Sequence, residues 1–297
     1  MEQIILKASD LYQLKLNLYE VDNPKGFFQI IHGMEEHQDR YTFLALFLNS
    51  LGYTVVTSNI RGHGEVNSPH IFFKEKKGFL QLLEDQKTIT KYMFSKYSIN
   101  KINIFAHSMG SIILRNLLKS ESGNYERVIL SGFPTLNNLA SLGILLTNIV
   151  KLFKSPKDHS KFIESLSTGS FNKCVKNPKT NFDWLSYNEK NIESYLNDPL
   201  CGQGFSIQAY NDLFHLVRGM KSVKKLENIN SSLPILLLWG LDDPCVGGKK
   251  GSQKSINALK KHGFNNLKNV SFKNMRHEII NENDSKLVLK EIEDFIK

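Results

Sequence analysis

The stretch INIFAHSMGSIILRNLLK, residues 102–119, decides the fold. Its first five residues are a short, largely apolar run of the kind that forms a buried strand, and the apolar positions beyond Gly110 read as a helix. His107 and Ser108 therefore fall on a sharp strand-to-helix turn. Ala106 and Gly110, two residues either side of Ser108, are small enough for helix and strand to pack closely while the hydroxyl projects from the strand's end. The N–H of Met109, at the helix start, is free to donate to a developing negative charge. A turn serine can be merely structural, but this setting favours a nucleophile.

Outward from that turn, short strands alternate with helices. YTVVTS (53–58) follows a helical stretch from Asp39 to Leu51, and INIFA follows another from Phe79 to Tyr97. RVILSG (127–132), PILLLWG (234–240) and NVSFKNM (269–275) continue the series, and a helix from Asp284 to Lys297 closes it. Such alternation predicts a mostly parallel sheet with helices on both faces. The chain's start differs: IILKA and LKLNLYEV read as paired strands about the Ser9-Asp10 turn, and GFFQII (26–31) as a compact apolar strand.

From Phe133 to Lys225 the rhythm breaks. This interval is long, mainly helical in pattern, and holds twelve basic against seven acidic residues, about half the excess behind the chain's net charge of +9. Its segment LASLGILLTNIVKLF is apolar on more than one face. The expected division is a core of residues 1–132 and 226–297, with a helical cap, 133–225, inserted after the sixth strand and lying over the sheet edge where ligands bind.

A chain of 297 residues with 41% hydrophobic content has the size and core of a globular enzyme. The opening residues do not read as a secretory signal, and the apolar window from Leu139 to Val150 is too short to span a bilayer. Cys174, Cys201 and Cys245 are odd in number and widely spread, which argues against a disulfide framework or a metal site and for a cytoplasmic protein without a cofactor. The lysines are scattered, with no nucleic-acid motif, so nucleic acid is not an expected partner. A solvated basic surface is the simpler reading, and weak peripheral contact of the cap with an anionic membrane the other. Oligomeric state is left open.

A serine hydroxyl needs a base. Among nine histidines, His277 follows the last strand and so lies at the same sheet edge as Ser108. His107 is expected to point away along its strand in a structural role, and His159, His215 and His262 stand in no motif. The acid that orients the base should come from another strand end, and PILLLWG runs into two adjacent carboxylates, Asp242 and Asp243. The order serine, acid, histidine is that of one serine-hydrolase fold. A second oxyanion donor is expected after GFFQII, where Gly33 permits a close turn, Met34 N–H is the candidate, and His32 supports the loop.

With these residues in place the chain resembles the monoacylglycerol lipase and lysophospholipase-like branch of the α/β-hydrolase superfamily, the group labelled serine aminopeptidase S33, over nearly its whole length. HGMEEHQDRY (32–41), GYTVVTSNIRGHG (52–64), AHSMG, WGLDDP and NMRHEIINE are similar to that family's motifs, and FDWLS and DPLCG to the cap of bacterial members. The acid of that family stands three residues after the glycine, which selects Asp243. Two positions depart from the pattern: Ala106 replaces the usual glycine, and Asn59 stands where many relatives have Asp. The resemblance implies hydrolysis of carboxylic esters with an apolar acyl chain, monoacylglycerol or lysophospholipid, through an acyl-enzyme on Ser108, Asp243 and His277. The S33 label also implies an alternative, an aminopeptidase or amidase, which needs carboxylates for a substrate amine. Glu164, Asp183, Glu189, Glu193 and Asp198 are available. An inactive ligand-binding relative is disfavoured by the intact order of the three residues.

Overall fold

Strand β5 (Ile102–His107) is buried at every position, in the middle of a sheet whose order is β1-β2-β4-β3-β5-β6-β7-β8. In a computed structural model, residues 1–66, 69–136, 139–167, 169, 171–223 and 226–297 are described. The expected end of the cap, Lys225, lies outside them. Along the chain come β1 (Glu2–Lys7), β2 (Gln13–Tyr19), β3 (Gly26–Ile31), α1 (Thr42–Ser50), β4 (Tyr53–Ser58), α2 (Gly78–Tyr97), β5 and α3 (Met109–Glu121). After β6 (Tyr125–Ser131) follow α4 (Ala140–Val150), α5 (Lys161–Ser167), α6 (Glu189–Asn197) and α7 (Ile207–Gly219). Then β7 (Ile235–Gly240), α8 (Gly248–Lys261), β8 (Leu267–Phe272) and α9 (Ser285–Ile296) complete the fold.

β1 and β2 pair antiparallel, β2 pairs antiparallel with β4, and every pairing from β4 through β8 is parallel. This is the α/β-hydrolase architecture expected from the alternation of strands and helices. Alternate side chains of each central strand serve opposite faces. Ile104 and Ala106 of β5, with Leu237 and Trp239 of β7, pack with α2, α3, α7 and α8, whereas Phe105, Leu236 and Leu238 pack with α1 and α9. Burial on both faces explains why these strands read as continuous apolar runs.

Three details differ from the sequence reading. α1 starts at Thr42, because Gln38–Tyr41 form a 3-10 turn. The last strand ends at Phe272, and Met275 belongs to the loop beyond it. α8 was not anticipated: its GKKGSQKSINALKK carries few apolar residues, since only a narrow stripe including Ala258 and Leu259 is buried.

β3 is followed in space by β4 on one side and β5 on the other, so the chain's direction of travel across the sheet reverses there. A crevice opens at such a point beyond the carboxyl ends of the strands. Residues of α4, α5 and α6, from the segment between β6 and β7, help line the cavity there, and α7 packs against α2 and α3.

The loop after β8 comes close to β7: a Cβ added at Gly240 would collide with the Met275 and Arg276 carbonyl oxygens. Both are backbone atoms and cannot yield as a side chain would. Gly240→Ala is expected to lower stability by about 1–3 kcal/mol, the usual cost of overpacking, measured by urea unfolding.

Candidate active site

The crevice holds a cavity of about 720 Å3, within the range of small-molecule sites. Ser108, His277, Met34 and Met109 line it. Ser108 sits at the turn from β5 to α3 with φ 48° and ψ −118°. A non-glycine residue is strained there, and such strain gathers at functional sites. Surrounding contacts hold it: Ser108 N–H donates to Ser131 O at 3.0 Å, and its carbonyl accepts from Ser111 N at 2.9 Å and Ser111 Oγ at 2.6 Å. Gly110 answers for the helix's approach, since a Cβ there would lie 2.5 Å from Ile31 O and 2.6 Å from His32 O.

Ser108 Oγ lies 2.8 Å from His277 Nε2, and His277 Nδ1 lies 2.9 Å from Asp243 Oδ2. The other Asp243 oxygen accepts from the N–H groups of Cys245 (2.8 Å) and Val246 (3.4 Å). Asp242 instead accepts from Tyr187 OH at 3.2 Å, away from the histidine. Burial opposes charge on His277, but Asp243 outweighs it, with Glu278 and Glu36 adding, so its pKa rises above the ordinary imidazole value. Trp184 packs on the ring at 5.0 Å between centroids.

The loop after β3 brings Gly33 and Met34 beside the serine; a Cβ on Gly33 would stand 3.2 Å from Ser108 Cβ and 2.6 Å from Glu36 Oε1. The N–H groups of Met34 and of Met109, the first residue of α3, have no hydrogen-bond partner among the described residues. His32 Nδ1 donates to Gly33 O at 2.7 Å and its Nε2 accepts from Ile60 N–H at 2.8 Å. Burial pushes its pKa down to about 3, so it holds the loop as a neutral ring. Asn59 accepts from Gln38 N–H at 2.9 Å and stays clear of the serine and histidine.

His107 corrects the sequence reading. It does not point away: its ring packs 4.7 Å from that of His277. Alternation along β5 puts it on the face of Phe105, where the loop carrying His277 runs into α9. Burial and the neighbouring His277 push it down to about 4, which keeps it uncharged.

The sequence reading assigned no role to Glu36, Arg40 and Glu278. Arg40 binds both Glu278 oxygens at 2.7 Å and Glu36 Oε2 at 3.0 Å. Glu36 Oε1 accepts from Gly33 N–H (2.5 Å) and Tyr41 OH (2.7 Å). Asn191 of α6 donates to Glu278 at 2.7 Å. Burial would raise the Glu278 pKa, but Arg40 brings it below the usual carboxylate range. One guanidinium thus ties the Gly33–Met34 loop, the His277 loop and α6 together. A weak signal was available, the Glu36–Arg40 spacing of one helical turn; the Arg40–Glu278 pair is 238 residues apart and left none.

Among the described residues, two groups have a metal site's composition, Asp243-Cys245-His277 and His37-Asp198-Cys201, each with donor atoms within 4.8 Å. In both the histidine is already bonded to the carboxylate. Burial pushes both thiols up, which keeps them neutral, whereas a metal takes a thiolate. All three cysteines are unpaired. Of the carboxylates considered for a substrate amine, Glu164 lines the cavity; Asp198 is bonded to His37 at 2.8 Å and Asp183 caps its own turn. No described helix is long and apolar enough to cross a membrane. Leu142, Leu145, Ile149, Leu152 and Phe153 nevertheless form an exposed apolar ridge along and just beyond α4.

Removing Arg40 leaves Glu36 and Glu278 buried without a counter-charge. Arg40→Met is expected to cost about 3–5 kcal/mol of stability at neutral pH, with a smaller loss at acid pH as Glu278, no longer held below the usual range by Arg40, takes up a proton, read by urea unfolding at both.

Comparison with known proteins follows the same lines. A family model described as serine aminopeptidase, S33, matches residues 22–284. Monoglyceride lipase of Rattus norvegicus is 26% identical over 232 residues, covering 76% of this chain and 68% of that one. Monoacylglycerol lipase of Mycolicibacterium smegmatis is 22% identical, covering 92% and 89%. The crystal structure of a thermostable carboxyl esterase from Bacillus coagulans superposes with a TM-score of 0.90 at 24% identity, covering 99% and 97%, a likeness of fold.

Proposed function

The chain belongs to the serine aminopeptidase S33 family, and we propose that on this scaffold it hydrolyses carboxylic esters with an apolar acyl chain, of the monoacylglycerol or lysophospholipid kind. The observation that carries the reading is the unbroken relay from Ser108 Oγ through His277 to Asp243, at 2.8 and 2.9 Å. The names of the lipase relatives support the substrate class.

In the proposed reaction Ser108 Oγ attacks the ester carbonyl carbon while His277 Nε2 takes its proton, and Asp243 holds the ring in the Nδ1–H tautomer and stabilises the imidazolium. The oxyanion lies against the uncommitted N–H groups of Met34 and Met109. Collapse releases the alcohol with the proton from His277, leaving an acyl-serine, and a water activated by the same histidine frees the acid. Ile112, Leu139, Ala140, Leu213, Phe214 and Val217 give the cavity an apolar wall for the chain. Each methylene buried there is worth roughly 0.8 kcal/mol, so kcat/KM is expected to climb with acyl length until the wall is covered. A flat series would remove the chain from the proposal. The segment over the crevice acts as a cap, and its apolar ridge, with Lys151 and Lys154 beside it, favours contact with an anionic lipid surface; liposome co-sedimentation with anionic and neutral vesicles reads this directly.

The decisive test is an esterase assay on substituted chains. Ser108→Ala is expected to lose nearly all turnover and Asp243→Asn about 10³–10⁴-fold, while Asp242→Asn stays within about twofold. Near-normal rates in Ser108→Ala would sink the assignment. Only neutral His277 accepts a proton, so kcat/KM should fall as pH drops through a pKa raised above that of free imidazole. In Asp243→Asn the residual activity should persist to lower pH.

A further inference from the structure

Glu35 follows the oxyanion-loop residue Met34 and lines the same cavity, yet it is only 9% exposed and no cation pairs with it among the described residues. Its backbone is held in the left-handed region, φ 56°, uncommon for a side chain of this size. Two contacts from the covering segment fix it there, Gly202 N–H and Tyr195 OH, each 2.9 Å from the Glu35 carbonyl oxygen. The backbone of Gly204 is close enough to the carboxyl group to lower its pKa. A buried carboxyl so placed is costly unless something satisfies it.

The surroundings are of one kind. Glu164 of α5 lines the same cavity, with one oxygen bonded to His159 Nε2 at 3.1 Å. The hydroxyl of Tyr210 is buried and close enough for both carboxyl groups to act on it. Lys161 also lines the cavity, one turn before Glu164, but forms no ion pair with either carboxylate among the described residues. Arg40 is committed to Glu36 and Glu278, and His37 to Asp198. The apolar wall from α3, α4 and α7 offers nothing to a polar group.

Resting on the ester-hydrolase reading, we propose that Glu35, with Glu164, is the specificity determinant for the alcohol part of the substrate, selecting one that presents hydrogen-bond donors, hydroxyl or protonated amine, and rejecting a purely anionic one, which narrows the lysophospholipids in the substrate class to those whose head group carries an amine. The acyl chain lies along the apolar wall and the polar end meets the carboxyl groups. Burial and the nearby Glu164 push the Glu35 pKa up to about 7. Near neutrality it therefore passes between a neutral acid, which still binds hydroxyls, and an anion, which binds a cation better. This separates the two kinds of donor.

The test uses one medium-chain acid esterified with glycerol, with 2-(dimethylamino)ethanol, with ethanol and with phosphoglycerol, and reads ratios of kcat/KM, in which any general loss of activity cancels. In the intact protein the glyceryl and aminoethyl esters should exceed the ethyl ester by roughly 10- to 100-fold, as a hydrogen bond to a charged group allows, and the phosphoglyceryl ester should fall below it. The aminoethyl advantage over the glyceryl ester should grow as pH rises through about 7. Glu35→Gln should lose the aminoethyl preference and its pH dependence while keeping part of the glyceryl preference. Glu35→Leu should lose both. Ratios unchanged in both variants would overturn the proposal while leaving the hydrolase reading intact. If no ester were cleaved, or Ser108→Ala cleaved them equally well, the hydrolase reading itself would fall.

Discussion

The site depends on how closely α3 approaches the end of β3. Gly110 lies against the Ile31 and His32 carbonyl oxygens with no room for a Cβ, and this approach holds Ser108 at its strained turn beside the Gly33–Met34 loop. The hydroxyl and the residues of the two uncommitted N–H groups then line one cavity. A looser helix would separate the serine hydroxyl from the N–H groups proposed to hold the oxyanion, and small displacements of that kind are costly in rate. The parallel sheet supplies the rigidity, because β3 and β5 are buried neighbours.

Arg40 performs a second kind of fixing. Loops at sheet edges are ordinarily the mobile parts of a fold, and here two of them, with α6, would have to keep register without a strand ladder. A guanidinium fork matched to one carboxylate by two bonds and reaching another gives direction as well as attraction. Because both carboxylates are buried, the arrangement is a constraint on geometry more than a source of net stability.

Much of this was legible in the sequence where local chemistry carries the signal. The strands facing helices on both sides read directly as apolar runs, and the turn at Ser108 announced itself through Ala106, Gly110 and the change of periodicity. The acid required more than local reading: Asp242 and Asp243 are chemically identical neighbours, and only the turn after β7 sends one to His277 and the other to Tyr187. α8 escaped because a helix with a narrow buried stripe looks like a polar loop. His107 was misjudged because its direction depends on which face the distant His277 loop crosses. Arg40 and Glu35 escaped for a related reason. Their partners come from β8's loop and from the segment between β6 and β7, and pairing across such distances leaves no pattern along the chain.

Part of the seam between that segment and the rest of the molecule is made on main-chain carbonyl oxygens. Glu35 O receives Gly202 and Tyr195, Leu185 O receives Glu278 N–H, and Asp183 O and Ser186 O receive Arg276. Carbonyl oxygens are the same whatever residue carries them. The side chains of Glu35, Asp183, Leu185 and Ser186 can therefore drift in evolution while these bonds persist, and the cavity wall can be retailored without the segment having to find a new way to sit.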